Sequence, residues 1–182
     1  MTALIPLAKG FEEMEAVIVA DILRRGGVET TLCAMGDDMV VEGSRGVAVA
    51  ADVMWDDAAK NDYDAIIIPG GMGGTRRNQA DDRLLAKVVA MHREGKLVAA
   101  ICAGPIVLAT AGVIGPSSKV TCYPGLEGEL RGAGRLDDIV VQDGNGITSQ
   151  GPGTSMAFAL AILGRLLGAD VAGRVAAGAL TA

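Results

Sequence analysis

The chain is poor in aromatic residues, with two Phe, two Tyr and one Trp among 182 positions. So few rings give nucleic-acid bases little to stack on. The charge points the same way: 16 Lys and Arg against 22 Asp and Glu leave a net charge of −6, with no basic surplus to displace counterions from a phosphate backbone. Nucleic acid is therefore not an expected partner. Cysteine is scarce as well. The three cysteines are odd in number, scattered and without C-x-x-C spacing, so neither a disulfide framework nor a zinc site is indicated, and a reducing cytoplasm suits them. Secretion is not expected either, because Lys9, Glu12 and Glu13 interrupt any apolar core near the start of the sequence. Residues 97–115 carry no charge and approach the roughly 20 residues that span a bilayer. Gly104-Pro105 divides that run, however, and a buried strand followed by a buried helix explains it without a membrane.

What is present is an apolar half of the composition, enough for one globular domain over residues 1–182 with a core that needs no disulfide or metal. Apolar runs and helical periodicities alternate. Strands are expected at 2–7, 28–35, 64–68, 97–101 and 119–123, and helices at 12–26, 81–94, 105–111 and 154–167. Residues 40–53 alternate around Gly43 and Gly46 as a hairpin or a pair of short strands, and a second hairpin joins 139–142 to 146–149 across Asp143-Gly144-Asn145. Alternating strands and helices predict a mostly parallel sheet with helices on both faces.

In such a sheet the functional crevice lies beyond the carboxyl ends of the strands. Residues 8–15, 70–74, Cys102 and Tyr123-Pro124 all follow strand ends and should converge there. Cys102 is the notable one: it ends the apolar run 97–101 and precedes Ala103, Gly104 and Pro105, a sharp strand-to-helix turn. A thiol there projects from the sheet edge, and the next helix's free N–H groups favour its thiolate. Glu15 falls within reach, where a carboxyl beside a thiolate is pushed to keep its proton. On pattern alone, Glu12, Glu13 and Glu15 are better read as acidic residues complementing the helix dipole. Gly70 and Gly71 either offer N–H groups to an oxyanion or make a tight turn. Cys33 reads as a buried hydrophobe, Cys122 lies next to the site but points to the opposite face from Tyr123, and His92, the only histidine, reads as a surface residue at the far end of the Cys102 strand.

Five separated segments, "AKGFEEMEA" (8–16), "IIIPGG" (66–71), "AAICAGP" (99–105), "SKVTCYPG" (118–125) and "TSQGPGTS" (148–155), together resemble the DJ-1/ThiJ/PfpI superfamily, most closely its DJ-1-like branch. The resemblance implies a flavodoxin-like three-layer α/β sandwich with a cysteine nucleophile elbow. It also implies a homodimer and chemistry without cofactor or metal. In its terms Cys102 is the reactive nucleophile, Glu15 its protonated partner, and the N–H groups of Gly71 and Ala103 line an oxyanion pocket. Arg25 and Arg45 fall where relatives have residues near the dimer interface and the mouth of the site. Their plainer reading is as solvated surface arginines. Tyr123 stands where DJ-1 and many relatives have histidine, and a phenol of pKa near ~10 is a poor base at neutral pH.

Two functions follow from the resemblance. One is glyoxalase- or deglycase-type chemistry on small reactive carbonyls in stress protection, slowed by the missing histidine. The other is a redox sensor or chaperone in which an oxidant converts Cys102 to sulfinate. The protease activity attached to the PfpI name is the least favoured, since that branch also uses a histidine beside its cysteine.

Overall fold

The computed structural model describes residues 1–181. In chain order the elements are β1 (Thr2–Leu7), α1 (Glu13–Arg25), β2 (Glu29–Ala34), β3 (Val40–Glu42), β4 (Ala48–Ala50), β5 (Val53–Met54) and α2 (Trp55–Ala58). These are followed by β6 (Ala65–Ile68), α3 (Met72–Gln79), α4 (Asp82–Arg93), β7 (Leu97–Ile101), α5 (Pro105–Thr110), β8 (Lys119–Val120) and β9 (Gly134–Arg135). The chain then forms β10 (Val140–Asp143), β11 (Gly146–Ser149), α6 (Ser155–Leu167) and α7 (Ala169–Gly178). Seven strands make the central sheet in the order β10-β11-β7-β6-β1-β2-β5, parallel except for the β10–β11 hairpin. This is the three-layer α/β sandwich expected from the sequence.

The middle strands are continuous apolar runs because both of their faces are covered. Successive side chains point to opposite faces. Ala3, Ile5 and Leu7 of β1, Ile67 of β6, and Ala99 and Ile101 of β7 pack with Phe11, Leu23, Phe158 and Leu163 on the α1/α6 side. Leu4, Ile66, Ile68, Val98 and Ala100 pack with Leu84, Val88, Met91 and Leu108 on the α4/α5 side. β1, β6 and β7 are therefore buried neighbours whose carboxyl ends lie side by side, with Ile68 in register with Ala100.

The structure departs from the expected elements in several places, the short α2 among them. Residues 119–123 do not join the central sheet: only Lys119–Val120 is a strand, paired in parallel with β9 in a small separate sheet. β10 and β11 occupy that edge instead. Residues 40–53 split, with β3 and β4 forming the hairpin while β5 adds to the central sheet beside β2. α3, with the sequence MGGTRRNQ, is a helix that its glycines and polar residues conceal from pattern reading. α7 is Ala- and Gly-rich, and its short stripe of Val171, Ala172 and Val175 is only partly buried against the core, so this helix was not expected from the sequence.

Candidate functional site

Three loops meet at the carboxyl edge of β1, β6 and β7. The Glu12 N–H donates to the Gly70 carbonyl at 2.9 Å and the Gly74 N–H to the Gly10 carbonyl at 3.0 Å, locking the loop after β1 onto the start of α3. Gly71 sits at φ 81° with an added Cβ coming 2.5 Å from the Glu12 nitrogen and the Gly10 oxygen, so no side chain fits there.

Cys102 leaves β7 at φ 62°, a left-handed conformation that costs a non-glycine residue about 1–2 kcal/mol. The conformation is held by the Cys102 N–H donating to the Ser149 carbonyl at 3.0 Å and by the Tyr123 N–H donating to the Cys102 carbonyl at 2.9 Å. Gly104 follows with no room for a Cβ, which would meet the Ile68 carbonyl at 2.5 Å, and Pro105 then opens α5. The turn leaves the sulfur half-buried, with the N–H groups of Gly71 and Ala103 directed at it.

Glu15, on the first turn of α1, is completely buried. Its Oε2 accepts the Gly70 N–H at 2.6 Å. A Cβ at Gly70 would meet Cys102 Cβ at 2.6 Å and Glu15 Oε2 at 2.8 Å, so the glycine lets the carboxyl and the cysteine close on each other. The other carboxyl oxygen, Oε1, is buried without a hydrogen-bond partner. Burial pushes the Glu15 carboxyl up to about 7, against the Gly70 N–H and the thiol, which favour its ionised form.

Burial also pushes the Cys102 thiol up to about 12, and the charge of Glu15 adds to this, outweighing the N–H groups of Gly71 and Ala103. The depressed thiolate expected from the helix N-terminus is therefore corrected. Taken together, the pair keeps one proton between about 7 and about 12, the carboxylate being ready to receive it from sulfur.

A cavity of about 540 Å³ opens over the sulfur, lined among others by Arg45, Met72, Tyr123, Leu126 and Pro152. Tyr123 is half exposed there although its segment lies outside the central sheet, because its N–H is bound to the Cys102 carbonyl. Arg45 reaches the rim of this cavity. Arg25 does not: it lies about 15 Å further along α1 than Glu15 and pairs with Asp21 at 2.6 Å on the surface. His92 lies in the last turn of α4 and lines a different cavity. Cys33 and Cys122 are fully buried.

Glu12 and Glu13 do more than complement the helix dipole. Glu13 Oε1 accepts the N–H groups of Arg45 at 2.7 Å and Val47 at 3.2 Å, while the Ser44 hydroxyl donates to Glu12 Oε2 at 2.9 Å. These carboxylates fix the 43–47 turn that carries Arg45 to the cavity. A second wall is tied down by Arg76 of α3, whose guanidinium holds both carboxylate oxygens of Glu129 at 2.6 Å. Sequence reading missed Ser44, which lines the cavity, and the Arg76–Glu129 pair, which ties α3 to the turn after Leu126, since only the fold brings these residues together. Among the described residues no group of three or more His, Cys, Asp or Glu side chains is placed to hold a metal ion, and no helix is long and apolar enough to cross a membrane.

Comparison with known proteins agrees with the fold. The family model described as DJ-1/PfpI family matches residues 1–165. The protein dj-1beta of Drosophila melanogaster is 39% identical over 183 residues, covering 100% of this chain and 97% of its own. Its crystal structure superposes with a TM-score of 0.95 over 100% of this chain and 98% of that one. A structure titled Toxoplasma gondii DJ-1, oxidized, is 36% identical with a TM-score of 0.95, covering 100% and 98% of the two chains. The Caenorhabditis elegans protein named glutathione-independent glyoxalase DJR-1.2 is 35% identical over 162 residues, or 87% of this chain and 84% of that one. With its family model, its relatives and its fold in agreement, the chain belongs to the DJ-1/PfpI family.

Proposed function

We propose that this protein converts small 2-oxoaldehydes such as methylglyoxal to 2-hydroxy acids without a cofactor, as protection against reactive carbonyls, with Cys102 as nucleophile and Glu15 as proton carrier. The observation that carries this reading is the buried Glu15 carboxyl, raised to about 7 beside the Cys102 sulfur: a base matched to neutral pH against an otherwise protonated thiol. The glyoxalase name of the Caenorhabditis elegans relative supports it. Sulfur bonds to the aldehyde carbon as the thiol proton passes to Glu15, and the N–H groups of Gly71 and Ala103 offset charge developing on the aldehyde oxygen. Glu15 passes that proton on to the oxygen, which gives a hemithioacetal and leaves the carboxylate free again. Glu15 then takes the proton from the former aldehyde carbon and delivers it to the neighbouring ketone carbon, while the hemithioacetal hydroxyl proton passes to the ketone oxygen. The first carbon is thereby oxidised to a thioester and the second reduced to an alcohol, so no external oxidant is needed. Water cleaves the thioester, releases the hydroxy acid and restores the thiol. Deglycase-type attack on early carbonyl adducts would use the same groups.

The test is lactate production from methylglyoxal by the purified protein. Cys102→Ser is expected to lose it, and turnover that survives the substitution overturns the reading.

A second reading draws on the half-buried sulfur facing two N–H groups, and on the oxidised state named for the Toxoplasma gondii relative. Two peroxide molecules each give one oxygen to Cys102 and leave as water, and the resulting sulfinate accepts a hydrogen bond from protonated Glu15. Intact mass after mild peroxide should then rise by two oxygens on Cys102 alone, and Glu15→Gln should change how fast that product forms.

We place the protein in the cytoplasm as one functional unit that pairs with a second copy. The support is three free cysteines and the exposure of Met14, Val17 and Val47 around the start of α1, an apolar patch that a partner copy would cover. Sedimentation at twice the chain mass is the expected result, and a monomer at high protein concentration would rule the pairing out.

A further inference from the structure

The cavity over Cys102 is larger than methylglyoxal needs. Its volume of about 540 Å³ falls within the roughly 300–1,000 Å³ of pockets that enclose drug-sized molecules, whereas methylglyoxal is only two carbonyls and a methyl group. The lining is also divided by polarity. Glu12, Ser44 and Arg45 form a polar part, in which the Ser44 hydroxyl is already bound to Glu12 at 2.9 Å. Met72, Tyr123 and Leu126 contribute an apolar part. Met72 is 41% exposed, Tyr123 49%, and Leu126 is half-buried, so apolar surface is left in water beside the sulfur.

Met72 and Leu126 stand on two walls that a single ion pair joins. Met72 opens α3 and Arg76 lies four residues later, which puts both on one face of the helix. Leu126 precedes the 3-10 turn Glu127–Glu129, where residues three apart eclipse, so Leu126 and Glu129 also share a face. The Arg76 guanidinium holds both Glu129 carboxylate oxygens at 2.6 Å and donates to Gln79 at 2.9 Å. The pair thus runs beside Met72 on one wall and Leu126 on the other.

The turn itself is anchored only at its ends and edges. Its N–H groups at Gly125, Leu126, Glu129 and Leu130 bond within residues 123–130, and Pro124 and Gly125 are exposed. Tyr123 is tied to the Cys102 carbonyl, Leu130 is buried beside Ala103 and Ile106, and Glu127 pairs with Arg135 at 3.1 Å. The Arg76–Glu129 pair is what ties the turn to α3.

We propose that Met72 and Leu126 form the specificity wall of the Cys102 pocket, kept at their spacing by Arg76 and Glu129, and that they select 2-oxoaldehydes carrying an alkyl chain longer than methyl. This choice of substrate rests on the function proposed above. The dicarbonyl end meets the sulfur and the N–H groups of Gly71 and Ala103, while the chain lies against Met72 and Leu126. Arg76 and Glu129 touch no substrate and act as positioning residues.

Two series on the full chain test this. The first reads the wall without turnover, as second-order rates of Cys102 alkylation by N-methyl-, N-ethyl-, N-propyl- and N-butylmaleimide, each relative to glutathione. The relative rate is expected to rise about two- to fourfold with each methylene, as the burial of a CH₂ group implies. Leu126→Ala should flatten that slope. Arg76→Gln, Glu129→Gln and the double variant should flatten it to the same extent, because all three break one pair. General loosening of the fold would instead change every maleimide alike. A flat parent series, or a slope retained in Leu126→Ala, overturns the wall. A slope retained in Arg76→Gln, or additive losses in the double variant, overturns the positioning role. The second series is kcat/KM from methylglyoxal to propylglyoxal, expected to rise in the same order and chiefly through KM. Equal values overturn the choice of substrate and leave the proposed function standing. No turnover of any member fails that function and the substrate with it, while the maleimide series still decides the wall.

Discussion

At the scale of single residues, the chemistry of this protein turns on two groups whose proton affinities are both raised by burial. A thiol near 12 is inert at neutral pH by itself, and a carboxyl near 7 is half ionised there. Ionising Glu15 creates the acceptor that Cys102 needs, so the reactivity of the sulfur should follow the carboxyl. The second-order rate of alkylation by iodoacetamide is expected to rise through an apparent pKa near 7 and then level off. Glu15→Gln should remove that step and lower the rate at pH 8 at least tenfold. A parent profile whose only rise lies above the ordinary thiol range, about 8.5, would show that Glu15 does not accept the proton. The sequence made this pair legible as a position but not as an electrostatic balance. The strand-to-helix turn at Cys102 and the carboxyl on the first helix can be read from residue order. The burial that lifts both groups is a property of the packed interior.

At the scale of elements, the strands that build the site were legible and the segments that wall it were not. β1, β6 and β7 announce themselves as short apolar runs because helices cover both their faces. The 119–123 segment is apolar enough to suggest a strand, but it is bound through the Tyr123 N–H to the Cys102 carbonyl, a contact no periodicity encodes. α3 is hidden by its glycines, one of which is required by an approach to backbone that exists only in the fold: Gly74 would place a Cβ 2.8 Å from the Phe11 nitrogen. Glu13 shows the same limit. It looks like a dipole-complementing residue, while in the fold it holds the 43–47 turn through two backbone N–H groups. Its pKa is lowered by those N–H groups and by Ser44 against the opposing effect of burial, so it stays ionised. Glu13→Ala is expected to cost about 1–3 kcal/mol, because it leaves the N–H groups of Arg45 and Val47 without an acceptor. The loss should be local: hydrogen exchange should accelerate at 43–47 before it does in β1 or β7. Uniform acceleration across the sheet would mean that the turn is not an independent clamp.

At the scale of the whole molecule, the site and the stability of the fold are linked through one buried acid. The folded state binds the Glu15 proton more tightly than the unfolded chain, where a carboxyl titrates near 4.5. The stability that this protonated carboxyl contributes is fully present below about 4.5 and is lost as the pH rises through about 7. The whole difference amounts to as much as about 3 kcal/mol. Glu13 and Asp81 run in the opposite sense: their lowered pKa values contribute stability above the unfolded carboxylate range that disappears on acidification. The parent protein's pH profile is thus a sum of opposed slopes, and the Glu15 share emerges only by difference. Glu15→Gln keeps an oxygen for the Gly70 N–H but carries no charge at any pH. Its melting temperature should match the parent's near pH 4.5 and exceed it by several degrees at pH 8, where the parent must bury a carboxylate. A constant offset between the two proteins from pH 4.5 to 8 would mean that Glu15 titrates in the fold as it does in the unfolded chain. The raised carboxyl on which the proposed catalysis rests would then be lost as well.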